Sequence, residues 1–179
     1  MNIDWVLLSL LNGLAGHSTV FDAAVRMLIN DYAVTTALVL VLLALWFSGT
    51  TQEQRQRNQQ AVLSAVTSVF LANLFVKALN LVLYRPRPFA SHEVTLLFYR
   101  PSDSSFPSNA ASVGVSIATA VWLFNRKAGM VLYVLAVLLT LARLCGGVHY
   151  PSDILAGALI GTLSALFIVR KLPSDGFRQ

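Results

Sequence analysis

The chain has 179 residues, 56% of them hydrophobic and only 12% charged, with a mean hydropathy of +0.66; this balance excludes an ordinary soluble globule and indicates an integral membrane protein. The net charge of +5 comes from Lys and Arg scattered at the ends of apolar runs, without the basic stripe of a nucleic-acid surface, so no nucleic-acid partner is expected. One cysteine, Cys145, excludes an internal disulfide.

Met1 to Asp4 carries no positive charge and no cleavage site follows, so no cleaved leader is expected. Ile3, Val6, Leu7, Leu10, Leu11 and Leu14 recur at helical spacing, which predicts an amphipathic helix too short to span a membrane. After Gly13 and Gly16, Thr19 with Asp22 resembles a capping box, and Asp22 with Arg26 an i, i+4 pair on a second short helix. Residues 1–31 are therefore expected to lie at the interface, and residues 32–172 to form a bundle of about five transmembrane helices.

The first span is expected over residues 32–49, which hold no charge. A polar loop over 51–60, with Arg55 and Arg57, leads to a second span over 61–84, interrupted by Asn73, Lys77 and Asn80 on one face. An ammonium at the centre of the hydrocarbon costs about 2.5–3.5 kcal/mol, so Lys77 is expected to face the interior or a wet cavity. Arg85-Pro86-Arg87-Pro88 ends that helix. Ser108 and Asn109 cap a third span reaching Phe124, a fourth covers residues 129–144, and a fifth residues 153–169, with Gly157 and Gly161 forming a small-residue face.

Arg55, Arg57, Arg126, Lys127, Arg170 and Lys171 all fall on one side of this topology, which the positive-inside rule makes cytoplasmic. The unusual segments 84–110 and 143–153 then share the opposite, outer side. Arg143, five residues, His149, three residues, Asp153: the second segment offers a cation for an anion, an imidazole that can attack or carry a proton, and a carboxylate. Arg85 and Arg87, with the N–H groups of a helix beginning at Ser108, would complete an oxyanion cradle. The competing reading of each residue is bland: a snorkelling arginine, a satisfied loop histidine, an acid in the first turn of a helix.

Taken together, Arg85-Pro86-Arg87-Pro88, Ser105-Phe106-Pro107-Ser108-Asn109 and Arg143 with His149 and Asp153 resemble the signature of the type-2 phosphatidic acid phosphatase superfamily. Within it they look most like the bacitracin-resistance type of bacterial undecaprenyl-diphosphate phosphatase. The resemblance implies a multi-pass protein of the bacterial cytoplasmic membrane, its site facing the periplasm or cell exterior. It implies dephosphorylation of undecaprenyl diphosphate to undecaprenyl phosphate, with a polyprenyl diphosphate and membrane lipids as partners and no metal or cofactor. His149 would be the nucleophile and Asp153 the group that fixes its tautomer, while Lys77, Arg85, Arg87, Ser108, Asn109 and Arg143 would bind phosphate. Alternatives are phosphatidylglycerophosphate or another lipid phosphate as substrate, or a relative that binds lipid phosphates without cleaving them.

Three positions depart from the signature. Lys77 precedes Arg85 by eight residues and Arg87 by ten, where the family has seven, and Ala142 replaces a serine. Ala110 stands where the family carries the histidine that protonates the leaving group. The resemblance thus implies a chain that binds substrate but turns over poorly.

Overall fold

The computed structural model describes residues 3–171; the tail beyond, with residue 172 of the expected bundle and Arg178, lies outside the described residues. Eight helices follow in order: α1 Ile3–Asn12, α2 Thr19–Ile29, α3 Ala33–Phe47, α4 Gln52–Val82, α5 Pro88–Ser91, α6 Asn109–Phe124, α7 Arg126–Cys145 and α8 Pro151–Lys171. No strand occurs among the described residues. The protein is an all-helical, multi-pass membrane protein.

Helices α4, α7 and α8 are each long and apolar enough to cross a membrane; α2 and α3 reach that length only as a pair bent by 55°. With 16 residues, α6 is about 24 Å long, short for a lipid-exposed span. It can be short because it packs against α4, α7 and α8. Protein surrounds it, and its side chains are Ala, Gly, Ser and Thr at most buried positions, which brings the helices close together. Lipid-facing apolar residues lie on the outer helices, as in the Leu155, Leu159, Leu163 and Phe167 stripe of α8.

The opposite face of α8 shows how tight the centre is. A Cβ added at Gly157 would run into the Ser108 carbonyl oxygen, and one at Gly161 into that of Ser112. Around this contact, Leu38, Leu42 and Leu45 of α3, Ala61 and Ala65 of α4, Ile117 and Val121 of α6 and Leu132 and Leu139 of α7 form the main core.

Three details differ from the sequence reading. The polar segment 51–60 is helix rather than loop: the Thr51 hydroxyl accepts the Gln54 N–H at 3.2 Å, and α4 runs on for 31 residues. At about 46 Å it exceeds a hydrocarbon core of about 30 Å, so its glutamine- and arginine-rich first turns extend beyond the apolar layer. The cap of α2 is Ser18, not Thr19. Asp22 accepts the Gly16 N–H at 3.0 Å and forms no ion pair with Arg26 among the described residues, because the backbone amide is nearer than the next turn.

The chain direction alternates through α3, α4, α6, α7 and α8. Gly49, Arg57, Phe124 and Lys127 therefore line a common hollow at one end, while Asn30, Asn80, Asn109 and Arg143 line another at the opposite end. Gly161→Leu should force α8 away from α6 and destabilise the protein by about 1–3 kcal/mol, read as a lower thermal midpoint in detergent. Leu159→Ala, on the lipid-facing stripe, should leave that midpoint nearly unchanged.

Candidate active site

Helix α7 stops at Cys145 because two glycines follow. Gly146 closes the helix and Gly147 adopts φ +71°, a conformation a side chain strongly disfavours. The chain thereby turns back and inserts Val148 and His149 under the loop before α6. Pro151 opens α8, a preferred first helical position. Asp153, in the first turn, accepts the Tyr150 N–H at 2.8 Å.

His149 is 4% exposed and Asp153 is fully buried. His149 Nδ1 lies 2.9 Å from the Ser105 carbonyl oxygen. A carbonyl can only accept, so Nδ1 carries the proton and Nε2 presents a lone pair. Arg87 Nη1 sits 3.3 Å from that Nε2. Asp153 was expected to fix the tautomer, but its nearest oxygen is 3.8 Å from Nδ1. The Ser105 carbonyl takes that role, and Asp153 supports the same loop by accepting the Ser105 hydroxyl. Ser105 stands in the Ser105-Phe106-Pro107-Ser108 motif, but the motif gives it no role, since the atom that meets His149 belongs to the backbone.

A cleft of about 420 Å³ opens against His149. Arg87, Asn109, Ala110, Arg143 and His149 all line it, and Leu38, Val69, Val113 and Leu139 continue it between the helices. Arg87 and Arg143 are both buried. Arg87 donates to Asp103 Oδ1 at 2.7 Å, and Arg143 to Asp31 Oδ1 at 2.9 Å. Both carboxylates are largely solvent-accessible, and Tyr99 donates to the second oxygen of Asp31 at 3.0 Å. Arg143 Nε is buried without a partner. A buried guanidinium donor left open on a residue that lines the same cleft as His149 is suited to an anion that brings its own oxygens.

Three expected phosphate ligands are placed elsewhere. Lys77 is exposed on α4 and does not line the cleft, whereas Asn73 and Asn80 do. At about 100° per residue, Lys77 is turned roughly 40° from Asn73 and 60° from Asn80, enough to leave a narrow seam. Arg85 also lies outside the cleft lining: its guanidinium bridges Asp153 Oδ1 at 2.7 Å and Asp4 Oδ2 at 2.8 Å. The Ser108 hydroxyl is fully buried as the cap of α6, accepting from Ala111, and its N–H donates to the Asp153 carbonyl oxygen at 3.0 Å. Asn109 and Ala110 keep first-turn N–H groups with no intrahelical acceptor.

A helical membrane bundle with a buried imidazole and two buried guanidiniums around one cleft is the architecture of a membrane lipid phosphatase, and the protein's relatives agree. Residues 61–176 match the PAP2 superfamily, and the chain belongs to that family. It is 30% identical over 94% of its length to undecaprenyl-diphosphatase BcrC of Bacillus subtilis, covering 83% of that protein. It is 36% identical over 78% of its length to the bacitracin transport permease protein BcrC of Bacillus licheniformis, covering 67% of it. The crystal structure of Aquifex aeolicus LpxE superposes with a TM-score of 0.72 at 26% identity, covering 95% of this chain and 96% of that one. A PAP2-type phosphatidylglycerolphosphate phosphatase from Bacillus subtilis shares the fold, with a TM-score of 0.63 at 20% identity over 97% of this chain and 90% of that one.

Burial is the largest influence on His149 and pushes its pKa below the ordinary 6.5; Asp153 pulls upward, and Arg87 and Arg143 add to the downward push. The neutral ring therefore persists in the folded protein below pH 6.5. Stability present above that pH is lost as pH falls through the lowered folded value. A nitrogen-15 titration of His149 in detergent should give a midpoint below 6.5, and a midpoint above it would mean that Asp153 outweighs burial.

Proposed function

We propose that the protein dephosphorylates a polyprenyl diphosphate, undecaprenyl diphosphate in a bacterial cell, through a phosphohistidine at His149. The observation that carries this reading is the 2.9 Å contact of His149 Nδ1 with the Ser105 carbonyl oxygen, which leaves Nε2 as the acceptor beside Arg87, on a cleft that His149, Arg87 and Arg143 all line. Likeness to the undecaprenyl-diphosphatase of Bacillus subtilis supports the substrate class.

Nε2 attacks the terminal phosphorus. The P–O bond to the lipid phosphate breaks, and undecaprenyl phosphate leaves with the bridging oxygen and its electron pair. Arg87 and Arg143 exchange Asp103 and Asp31 for phosphoryl oxygens and offset charge in the transition state, with the N–H groups of Asn109 and Ala110 beside them. Water then attacks phosphorus, the P–N bond breaks, and phosphate departs. Every positive charge the phosphoryl group meets in this scheme is a side chain, so turnover should persist in chelator. The apolar extension of the cleft along Leu38, Val69 and Leu139 suits a prenyl chain. A cytoplasmic-membrane location with the site outward follows from the basic residues at the opposite end, and resistance to bacitracin follows from recycling the carrier lipid.

Ala110 lines the cleft without a proton to give. A lipid phosphate is a tolerable leaving group unprotonated, so slow turnover is expected, together with poor activation of water in the second step. Ala110→His should raise phosphate release from a short-chain polyprenyl diphosphate by about 10²–10⁴-fold, and His149→Ala in that background should abolish it. Two proteins that bind lipid phosphates yet both stay inactive would indicate a non-catalytic relative. Asp31→Asn should tighten inhibition by inorganic phosphate about 2–5-fold, the modest gain expected when a partly exposed competitor of Arg143 is removed.

A further inference from the structure

We propose that Asp4, on the amphipathic helix α1, is a positioning residue for the catalytic loop: it holds Arg85 and Ser152 so that the guanidinium fixes Asp153 beneath His149. The inference rests on the phosphatase reading for its kinetic readout alone.

Arg85 is the centre of a bridge between two carboxylates 149 residues apart in sequence. Its Nη2 donates to Asp4 Oδ2 at 2.8 Å and its Nη1 to Asp153 Oδ1 at 2.7 Å. Ser152 closes the loop: its N–H donates to Asp4 Oδ1 at 3.0 Å, its hydroxyl donates to Asp4 Oδ2, and its oxygen accepts Arg85 Nη1 at 2.7 Å. The guanidinium lies 4.0 Å over the Tyr150 ring. Tyr150, Ser152 and Asp153 lie within four residues after His149, so Asp4 holds this segment directly at Ser152 and through Arg85 at Tyr150 and Asp153.

The electrostatics explain why an acid is needed there. Asp153 is fully buried and its Oδ1 is held by Arg85, while Arg85 keeps about a quarter of its side chain open to solvent. Without Asp4, one end of the guanidinium is free to turn outward or towards the anion cleft, and Asp153 loses the geometry of its one arginine or lysine partner among the described residues. Burial works against the Asp4 carboxylate, but hydrogen bonds from Ser152 and Arg85 outweigh it and keep Asp4 below the usual range. It is therefore an anion at neutral pH. Docking of α1 does not depend on this residue alone. Asn12 at the other end donates to the Thr95 and Cys145 carbonyl oxygens, each at 2.8 Å, and Leu8 is fully buried against Leu144 and Tyr150.

The test compares Asp4→Ala, Asp4→Asn and Asp4→Glu, each with and without Ala110→His, by kcat and KM on a short-chain polyprenyl diphosphate and by the His149 ring signals in nitrogen-15 spectra. Asp4→Ala and Asp4→Asn should lower kcat about 10–100-fold with KM little changed, as misplacement of a reacting group does. The Nδ1–H signal of His149 should shift or broaden in the same variants, and Asp4→Glu should recover both. Loss of activity that follows thermal stability alone, with no recovery in Asp4→Glu and an unmoved His149 signal, would overturn the proposal. If Ala110→His releases no phosphate from any lipid phosphate, the phosphatase reading fails, and the His149 signal decides the role of Asp4 by itself.

Discussion

The hydrogen bond from His149 Nδ1 to the Ser105 carbonyl oxygen is the contact on which the rest of the site depends. It decides which nitrogen bears the proton, hence which one faces the cleft with a lone pair. A backbone carbonyl is a dependable partner because it cannot reverse its polarity, but it must be held in place. The Ser105 N–H donates to the Arg85 carbonyl oxygen at 2.9 Å, its hydroxyl meets Asp153, and the Ser108 N–H meets the Asp153 carbonyl oxygen. The loop and His149 are therefore fixed to the same first turn of α8.

The bundle beneath supplies rigidity by close approach. Gly157 sits against the Ser108 carbonyl and Gly161 against that of Ser112, so the start of α8, which carries Asp153, is pressed onto the start of α6, which presents Asn109 and Ala110. At the other side of the cleft, Asp31 and Asp103 each accept a hydrogen bond from one of the two arginines. Both carboxylates are partly solvated and come from connecting segments, so an arriving phosphoryl group competes for partners that water can readily accommodate. Arrangement costs are thus met by the fold before substrate binds, which is how a site of fixed charges lowers a barrier.

Much of this was legible in the sequence because apolar length and charge placement act locally. The five bundle helices, the N-terminal pair and the shared end of the bundle at which residues 84–110 and 143–153 meet follow from them, as do His149, Arg87 and Arg143 at one cleft. Long-range pairings were not legible. Arg85 reads like a phosphate ligand because it is an arginine in an arginine-proline motif; only the approach of α1 shows that Asp4 and Asp153 already occupy it. Lys77 was misplaced because three polar residues on one broad face do not all reach a seam one residue wide. Ser105 and Asp31 act through a backbone oxygen and through a turn before an apolar span, and neither leaves a pattern in composition.

If His149 is the nucleophile and Ala110 has removed the group that activates water, the phosphoenzyme should form and persist. The most direct measurement is acid-quench trapping with terminally labelled polyprenyl diphosphate, followed by mapping of the label. Near-stoichiometric, acid-labile phosphate on His149, lost in His149→Ala and short-lived after Ala110→His, is the expected result. Phosphate release that continues in His149→Ala, or label on another residue, would contradict it.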